Sequence, residues 1–271
     1  MSQPLTLDWY EISTPSPGVF ALLEPLQVER VLSYLIVGSE RALLIDTGTG
    51  AVSMKAAVET LTDLPVLLVN SHSHWDHVGN NDEFAEIAIH RAEAHELAHT
   101  YSRTDIERFF GEGALLGPLP EGRRIDSISI EVSIPTLLLD GGESFELGGR
   151  TINTLHTPGH APGLLSSLDE EQGILFSTDT AYLGHLYAYS VDTDLPTYIR
   201  SMELLASLAP SLTTVHPSHN TDTMSPEFLL KMRDALLDVA NGREPEAMDE
   251  GRTIHEFDGF GVYGPLPGER R

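Results

Sequence analysis

Cysteine is absent from this chain, and lysine occurs only twice among its 271 residues. Without cysteine there are no disulfide bonds and no thiolate ligands, so a metal site would have to use histidine, carboxylate and water. Runs of the ~18 consecutive apolar residues that a membrane-spanning helix needs are also missing. The opening residues, MSQPLTLDWYEIS, have neither the basic flank nor the apolar segment of a secretory signal. We therefore expect a soluble, cytoplasmic protein with no membrane partner.

Positive charge is scarce in general, with 16 lysine and arginine residues against 41 aspartate and glutamate residues and a formal net charge of −25. Such a chain repels phosphate backbones over at least a Debye length, so we expect no nucleic-acid partner. The acidity is typical of a soluble protein and does not by itself indicate a basic partner. A hydrophobic fraction of 41% suits an ordinary buried core.

The first half of the chain predicts strands around one helix. Segments rich in β-forming residues between turn residues lie at 19–24, 33–37, 42–46 and 65–70. Apolar residues at helical spacing predict a helix over 51–61. Because open α/β sheets bind ligands at the carboxyl ends of their strands, the loop that follows residue 70 is a candidate site.

The second half has the same organisation without repeating the sequence. Predicted strands lie at 151–156, 164–168, 173–178 and in TTVHP (213–217), and 252–263 predicts a closing pair of strands. One helix is predicted to start near Asp194, and another follows Ser225 and Pro226. Two β-then-α halves predict an α/β protein, an αββα sandwich of two packed mixed β-sheets with helices on both outer faces. We expect a single domain over 1–271.

Residues 91–135 interrupt this pattern. The segment combines an amphipathic stretch, RAEAHELAHTYSR, with FFGEGALLGPLPEG, which mixes apolar residues and turn formers. It is interpreted either as a cap over a pocket or as a surface excursion that packs on the domain.

The loop after residue 70 reads HSHWDH and crowds three imidazoles and a carboxylate into six residues. On an extended backbone the alternation of His72 and His74 points both rings the same way, so they can share an ion. Asp76 and His77 follow in a tight turn and reach a neighbouring point, so two ions ~3.5–4 Å apart are foreseeable.

Six residues cannot complete two coordination shells. Three later segments offer further donors directly after predicted strands: HTPGHAPG (156–163), STDTAY (177–182) and VHPSHN (215–220). The alternative is a histidine-rich turn that binds no metal. It would require four separate segments to carry suitable donor residues by coincidence.

HSHWDH, TPGH, TD and HPSH occur in this order and resemble the HxHxDH, TPGH, GD and PGH signatures of the metallo-β-lactamase superfamily. LLIDTG (43–48) resembles the early D-x-G turn of that family, whose aspartate, here Asp46, supports the ligand loop. Three positions depart from the family pattern, because Thr178, Ser218 and Asn220 stand where glycines are common.

The resemblance implies two divalent ions, zinc in the first place and iron or manganese as alternatives. One ion would be held by His72, His74 and His160, and the other by Asp76, His77 and His219. Asp179 would bridge the two ions. Exchange of His219 for the nearby His216 is the most plausible alternative in this assignment, and His156 lies similarly close to His160.

The chemistry that these ligands imply is hydrolysis, in which a metal-bridging hydroxide attacks an acyl carbon and Asp76 or Asp179 relays the proton. The bridging Asp179 resembles the thioesterase, glyoxalase II and lactonase branches, because the β-lactamase branches generally have cysteine or serine there. Tyr182 stands where acyl-homoserine lactonases carry a substrate-contacting tyrosine, so it is a candidate catalytic residue; packing beside the site is the alternative. The nuclease branch needs a basic surface, which this chain lacks.

We therefore predict an enzyme that hydrolyses an ester, thioester or lactone of a small-molecule acyl substrate. The sequence is compatible with a homodimer. The alternatives are an acyl-homoserine lactonase specifically, a weak or promiscuous β-lactamase, and a metal-binding scaffold without activity. Open coordination positions argue against the scaffold, because structural zinc is normally closed by four protein ligands.

Overall fold

The computed structural model describes residues 5–7, 9–249 and 251–266. Within these residues the chain forms 17 β-strands and four α-helices. The chain divides into two compact units. Unit 1 comprises the chain up to Leu139 together with the short segment Glu146–Arg150. Unit 2 comprises Asp140–Phe145 and the chain from Thr151 onward. The prediction of one domain with a capping segment stays a prediction.

Unit 1 contains an eight-stranded sheet in which the strands follow one another in chain order. Its strands are β1 (Leu5–Leu7), β2 (Tyr10–Ser16), β3 (Val19–Leu23), β4 (Leu32–Val37), β5 (Ala42–Ile45), β6 (Val66–Val69), β7 (Ile87–His90) and β8 (Leu137–Leu139). Pairing is antiparallel from β1 to β5 and parallel from β5 to β8. The parallel strands β5 and β7 are buried at every residue, as expected for strands covered on both faces.

Helix α1 (Met54–Glu59) connects β5 to the parallel strand β6. The Ser53 side chain caps it by accepting a hydrogen bond from Ala56 N at 3.0 Å, which is why the helix starts later than the predicted residue 51. Met54, Ala57 and Val58 face the core and carry the apolar spacing that predicted the helix. The other helix of unit 1, α2 (Arg103–Phe110), lies within the 91–135 segment and begins at the last residue of its amphipathic stretch.

Unit 2 contains a five-stranded sheet with the order β14-β12-β11-β10-β9 and a four-stranded sheet with the order β13-β17-β16-β15. Its strands are β9 (Ser144–Glu146, whose last residue belongs to unit 1), β10 (Thr151–His156), β11 (Leu165–Asp169), β12 (Ile174–Thr178), β13 (His185–Tyr187), β14 (Thr214–Pro217), β15 (Ala247–Asp249), β16 (Arg252–Phe257) and β17 (Phe260–Gly264). The predicted closing pair is the antiparallel pair β16–β17.

Two helices complete unit 2, α3 (Leu195–Leu208) and α4 (Glu227–Ala240), and they pack against each other. Their buried faces carry the apolar stripes that predicted them, including Met202 and Leu205 on α3 and Met232 and Leu236 on α4. Among the described residues, no helix is both long and apolar enough to cross a membrane.

Candidate metal centre

Four of the predicted ligands come together in unit 1, in the loop that leaves β6. The ring centroids of His72 and His74 lie 4.4 Å apart, and those of His72 and His77 lie 4.2 Å apart. His77 Nε2 lies 3.6 Å from Asp76 Oδ2. The loop therefore brings three imidazoles and one carboxylate close together, as their spacing predicts, and all of them except the partly exposed His74 are buried.

Asp46 orients this loop. It follows β5 in the left-handed conformation, with φ of 62°, and its carboxylate accepts hydrogen bonds from Ser71 N at 2.7 Å and Ser71 Oγ at 2.6 Å. The same carboxylate lies 2.8 Å from His77 Nδ1. Because Nδ1–H donates to Asp46, the lone pair that a metal requires is on His77 Nε2.

Asparagines hold the base of the loop. Asn70 and Asn81 exchange side-chain hydrogen bonds, with Nδ2 to Oδ1 distances of 3.1 and 2.8 Å, and Thr47 Oγ1 donates to Asn81 Oδ1 at 2.9 Å. All three side chains are buried. This network ties the start of the ligand loop to the turn after Asp46, and nothing in the sequence pattern indicated it.

Two further buried carboxylates support the loop and were not predicted. Glu93 accepts hydrogen bonds from Ser73 N at 3.2 Å and from the Ser73 hydroxyl, so it fixes the backbone between His72 and His74. Glu24 accepts from Trp9 Nε1 at 2.5 Å and from Thr49 N at 2.8 Å, and thereby holds the turn that follows Asp46. Burial raises the pKa of Glu24.

The 91–135 segment packs on these same loops of unit 1. Trp75, inside HSHWDH, stacks on Phe109 of α2 with ring centroids 4.0 Å apart and an interplanar angle of 3°. Arg123 Nε donates to Ala51 O at 2.7 Å, just beyond the Asp46 turn. Burial, with the Asp76 charge next in weight, raises the pKa of Tyr101 to about 12. The 91–135 segment therefore packs directly against the ligand loop and the turn that follows Asp46.

Unit 2 brings the other three predicted ligands together. Asp179 Oδ2 lies 3.5 Å from His160 Nε2 and 3.1 Å from His219 Nε2, and all three residues are buried. The topology explains the convergence, because β12 and β14 are parallel neighbours whose carboxyl ends lead into Asp179 and His219. His160 Nδ1 lies 3.3 Å from Tyr187 O, an interaction that directs Nε2 toward Asp179.

The two other histidines near these ligands bond elsewhere within unit 2. His216 Nδ1 lies 2.6 Å from Asp222 O, and its ring packs against Phe176. His156 Nε2 lies 3.0 Å from Pro162 O. Of the candidates in HPSH, it is thus His219 that approaches Asp179.

Two of the three departures from the family pattern keep a left-handed backbone conformation that glycine would adopt easily. Thr178 and Asn220 have φ of 49° and 70°, and each directly adjoins a ligand residue. Side-chain bonds help to hold both residues in this uncommon conformation, Thr178 Oγ1 to Leu165 O at 3.0 Å and Asn220 Nδ2 to Leu183 O at 2.7 Å.

Tyr182 lies beside the ligands of unit 2. Its ring centroid is 4.9 Å from that of His219, and its hydroxyl donates to His185 O at 2.6 Å. The phenol is therefore close to a ligand and already oriented by a backbone carbonyl.

The donors in each unit suit a divalent ion. They are imidazole nitrogens and carboxylate oxygens, they are mostly buried, and each set is oriented by surrounding hydrogen bonds. This chemistry suits zinc, iron or manganese.

Comparison with known proteins identifies a family and similar relatives. A sequence model described as the metallo-beta-lactamase superfamily matches residues 26–243. The human protein named acyl-coenzyme A thioesterase MBLAC2 is 29% identical over 250 residues, which cover 86% of this chain and 89% of the relative.

Solved structures are similar at lower sequence identity. A metallo-beta-lactamase from Pontibacter korlensis gives a TM-score of 0.63 at 17% identity, covering 84% of this chain and 99% of that chain. The protein TTHA1623, solved in a di-iron-bound form, gives a TM-score of 0.55 at 23% identity, covering 75% of this chain and 93% of that chain. These likenesses confirm the predicted layered α/β fold class.

Proposed function

Because the chain belongs to the metallo-β-lactamase superfamily, we propose that it is a hydrolase that uses two divalent ions to cleave a carboxylic ester, thioester or lactone. The observation that carries this proposal is the complete donor set, four residues in the loop of unit 1 and three around Asp179 in unit 2. A set of this kind leaves coordination positions for water and substrate.

We assign His72, His74 and His160 to one ion and Asp76, His77 and His219 to the other, with Asp179 bridging. Each of these sets has the donor types that hold a metal ion. Zinc is the metal we propose first, with iron and manganese as alternatives.

The ions, when bound, supply a water of lowered pKa as the nucleophile and polarise the substrate carbonyl. The protein's own side chains position the ligands and transfer the proton. Asp46 and Glu93 hold the ligand loop in place, and one carboxylate, that of Asp76 or Asp179, accepts a proton and passes it to the leaving group.

Within this class we propose an acyl thioester as the preferred substrate. The support is the likeness to the acyl-coenzyme A thioesterase over most of both chains, together with the carboxylate at position 179. A formal net charge of −25 argues against nucleic-acid substrates.

Metal content and activity test the metal centre directly. We expect about two metal ions per chain, hydrolysis that a chelator abolishes, and recovery when Zn²⁺ is returned. His74→Ala should lower kcat at least a hundredfold by removing a ligand, whereas the exposed His95→Ala should leave it unchanged. Activity that survives chelation would reject the proposal.

A substrate panel tests the bond that is cleaved. Values of kcat/KM for acyl-CoA thioesters, acyl-homoserine lactones, lactoylglutathione and a chromogenic cephalosporin should rank the thioester first. A cephalosporin in first place would instead favour the β-lactamase alternative.

The position of Tyr182 against His219 favours a second candidate, an acyl-homoserine lactonase in which the phenol donates to the developing oxyanion. Tyr182→Phe should then lower lactone turnover about tenfold or more. Unchanged turnover would remove Tyr182 from the mechanism.

A further inference from the structure

The first half of helix α3 lies against the two loops of unit 2 that carry His160 and Asp179. On the His160 side, Asp194 N donates to Gly159 O at 2.9 Å and Ser201 Oγ donates to Pro158 O at 2.6 Å. Both acceptors immediately precede His160 in the chain. The backbone of this turn is therefore bonded directly to the helix.

Gly159 shows how closely the turn and the helix approach each other. A Cβ atom built on Gly159 would lie 2.2 Å from Tyr198 Cα, a distance that no side chain tolerates. Gly159 also has φ of 136°, which L-residues with a side chain rarely adopt. The backbone of Tyr198 is thus the surface on which the His160 turn rests.

The side chain of the same residue reaches the other ligand loop. Tyr198 is fully buried, and its hydroxyl lies 2.9 Å from both Asp179 O and Thr180 O, to which it donates. These carbonyls fix the backbone from which the Asp179 carboxylate projects.

We propose that Tyr198 is a positioning residue for the metal centre, with its backbone seating the His160 turn and its hydroxyl orienting Asp179. The inference rests on the proposed metal centre, because it assigns Tyr198 a role only through two ligands. Tyr198 touches no reacting atom. Its hydroxyl would matter because a carboxylate that held two ions would tolerate a narrower range of orientations than one that held a single ion.

Tyr198→Phe removes the hydroxyl and keeps the ring and the backbone contacts. Tyr10→Phe is a matched control, because Tyr10 is equally buried and donates to a backbone carbonyl, Val52 O at 3.2 Å, in unit 1. Tyr198→Phe removes a hydroxyl that is shared between two backbone carbonyls and Tyr10→Phe removes one that is bonded to a single carbonyl, so Tyr198→Phe should lose at least as much thermal stability as Tyr10→Phe.

The discriminating measurement is the binding of Zn²⁺ by competition with a chromogenic chelator, together with kcat and KM. For Tyr198→Phe we expect the affinity for the weaker zinc equivalent to fall about tenfold or more, with a comparable fall in kcat and less than about a twofold change in KM. Tyr10→Phe should retain the wild-type zinc affinities. Equal zinc affinities in the two variants would overturn the proposal.

The outcomes separate this inference from the proposed function. If wild type binds two zinc ions but hydrolyses nothing in the panel, while Tyr198→Phe still weakens zinc binding, the positioning role stands and the proposed function fails. If wild type binds none of Zn²⁺, Fe²⁺ and Mn²⁺, both fail. Ser201→Ala, which removes only the bond to Pro158 O, provides a second variant if Tyr198→Phe does not fold. It should weaken zinc binding severalfold, and wild-type zinc affinity in Ser201→Ala would overturn the part of the proposal that seats the His160 turn on α3.

Discussion

Three buried carboxylates that are not proposed ligands act on the ligand loop of unit 1. Asp46 bonds Ser71 and His77, Glu93 bonds Ser73, and Glu24 holds the turn after Asp46. A carboxylate in such a place is costly to bury, and its hydrogen bonds offset that cost only in one geometry. These residues therefore favour a single conformation of the loop.

The pH dependence of stability should reveal Glu24. Burial raises its pKa above 4.5, so its contribution is fully present below that pH and is lost as the pH rises through the folded-state pKa. We expect wild type to lose stability relative to Glu24→Gln as the pH rises above 4.5. Urea unfolding with a chelator present would measure this, because the chelator removes the pH dependence of metal binding.

The exposed Glu59→Gln on α1 is the control for that experiment, and its stability difference from wild type should stay flat. A flat difference for Glu24→Gln as well would contradict the prediction.

At the scale of single residues, the seven ligands could be predicted because they carry distinctive donors in a fixed order. Glu24, Glu93 and Tyr198 could not. Glu24 reaches Thr49 across 25 residues and Glu93 reaches Ser73 across 20, and such pairs arise only from the folded chain. Their residue types are common in many other roles.

Among the elements, α3 does most to place the ligands of unit 2, and its start depends on one cap. Hydrogen bonds from the Thr197 side chain and from Thr197 N, the latter at 2.7 Å, lower the pKa of Asp194. The stabilisation is therefore present above pH 3.8 and is lost as the pH falls through the folded-state pKa.

Asp194→Ala should cost about 1 kcal/mol of unfolding free energy at pH 7, measured by urea denaturation. The control is Glu203→Ala, an exposed position in the interior of the same helix, which should cost less than about 0.5 kcal/mol. A larger loss for Glu203→Ala than for Asp194→Ala would rule out the capping role.

Gly159→Ala tests the contact between the His160 turn and α3. We expect a loss of more than about 2 kcal/mol of unfolding free energy, since the new Cβ meets the backbone of Tyr198 at an unfavourable φ. Gly149→Ala has a positive φ of 71° but open space around it, so it should cost only about 1 kcal/mol. Equal losses would mean that the close approach is unimportant.

Most elements could be predicted, with ends displaced by a few residues. Strand β10 occupies the predicted residues, and α3 and α4 begin within three residues of the predicted starts. Most strands that were not predicted are short, such as β7, whose four buried residues resemble any apolar segment, although the seven-residue β2 was not predicted either. Short strands are set by pairing with distant partners, which the local sequence does not encode.

For the whole molecule, the formal net charge of −25 is the dominant physical fact. The exposed ion pairs, such as Arg124 with Asp126, contribute little to stability, so repulsion among unpaired carboxylates should dominate the salt response. Raising NaCl from ~10 mM to ~150 mM shortens the Debye length from about 30 Å to about 8 Å.

We therefore expect the Tm of the metal-free protein to rise over that range of salt. Differential scanning calorimetry in NaCl and in KCl would measure the rise, and agreement between the two salts would exclude a specific ion effect. A falling Tm would show that attractive pairs outweigh the repulsion.

The path of the chain through its two units limits how this molecule can be recombined. The chain changes unit three times, and the short return Glu146–Arg150 is bound in unit 1, where Ser39 N donates to Gly148 O at 3.0 Å and Gly38 leaves no room for a side chain beside Leu147. A chimera of two related genes made with a single crossover would therefore contain at least one unit assembled from segments of both parents. Exchange of a complete unit between relatives requires three junctions, and we expect libraries built that way to retain far more folded members than those with one crossover.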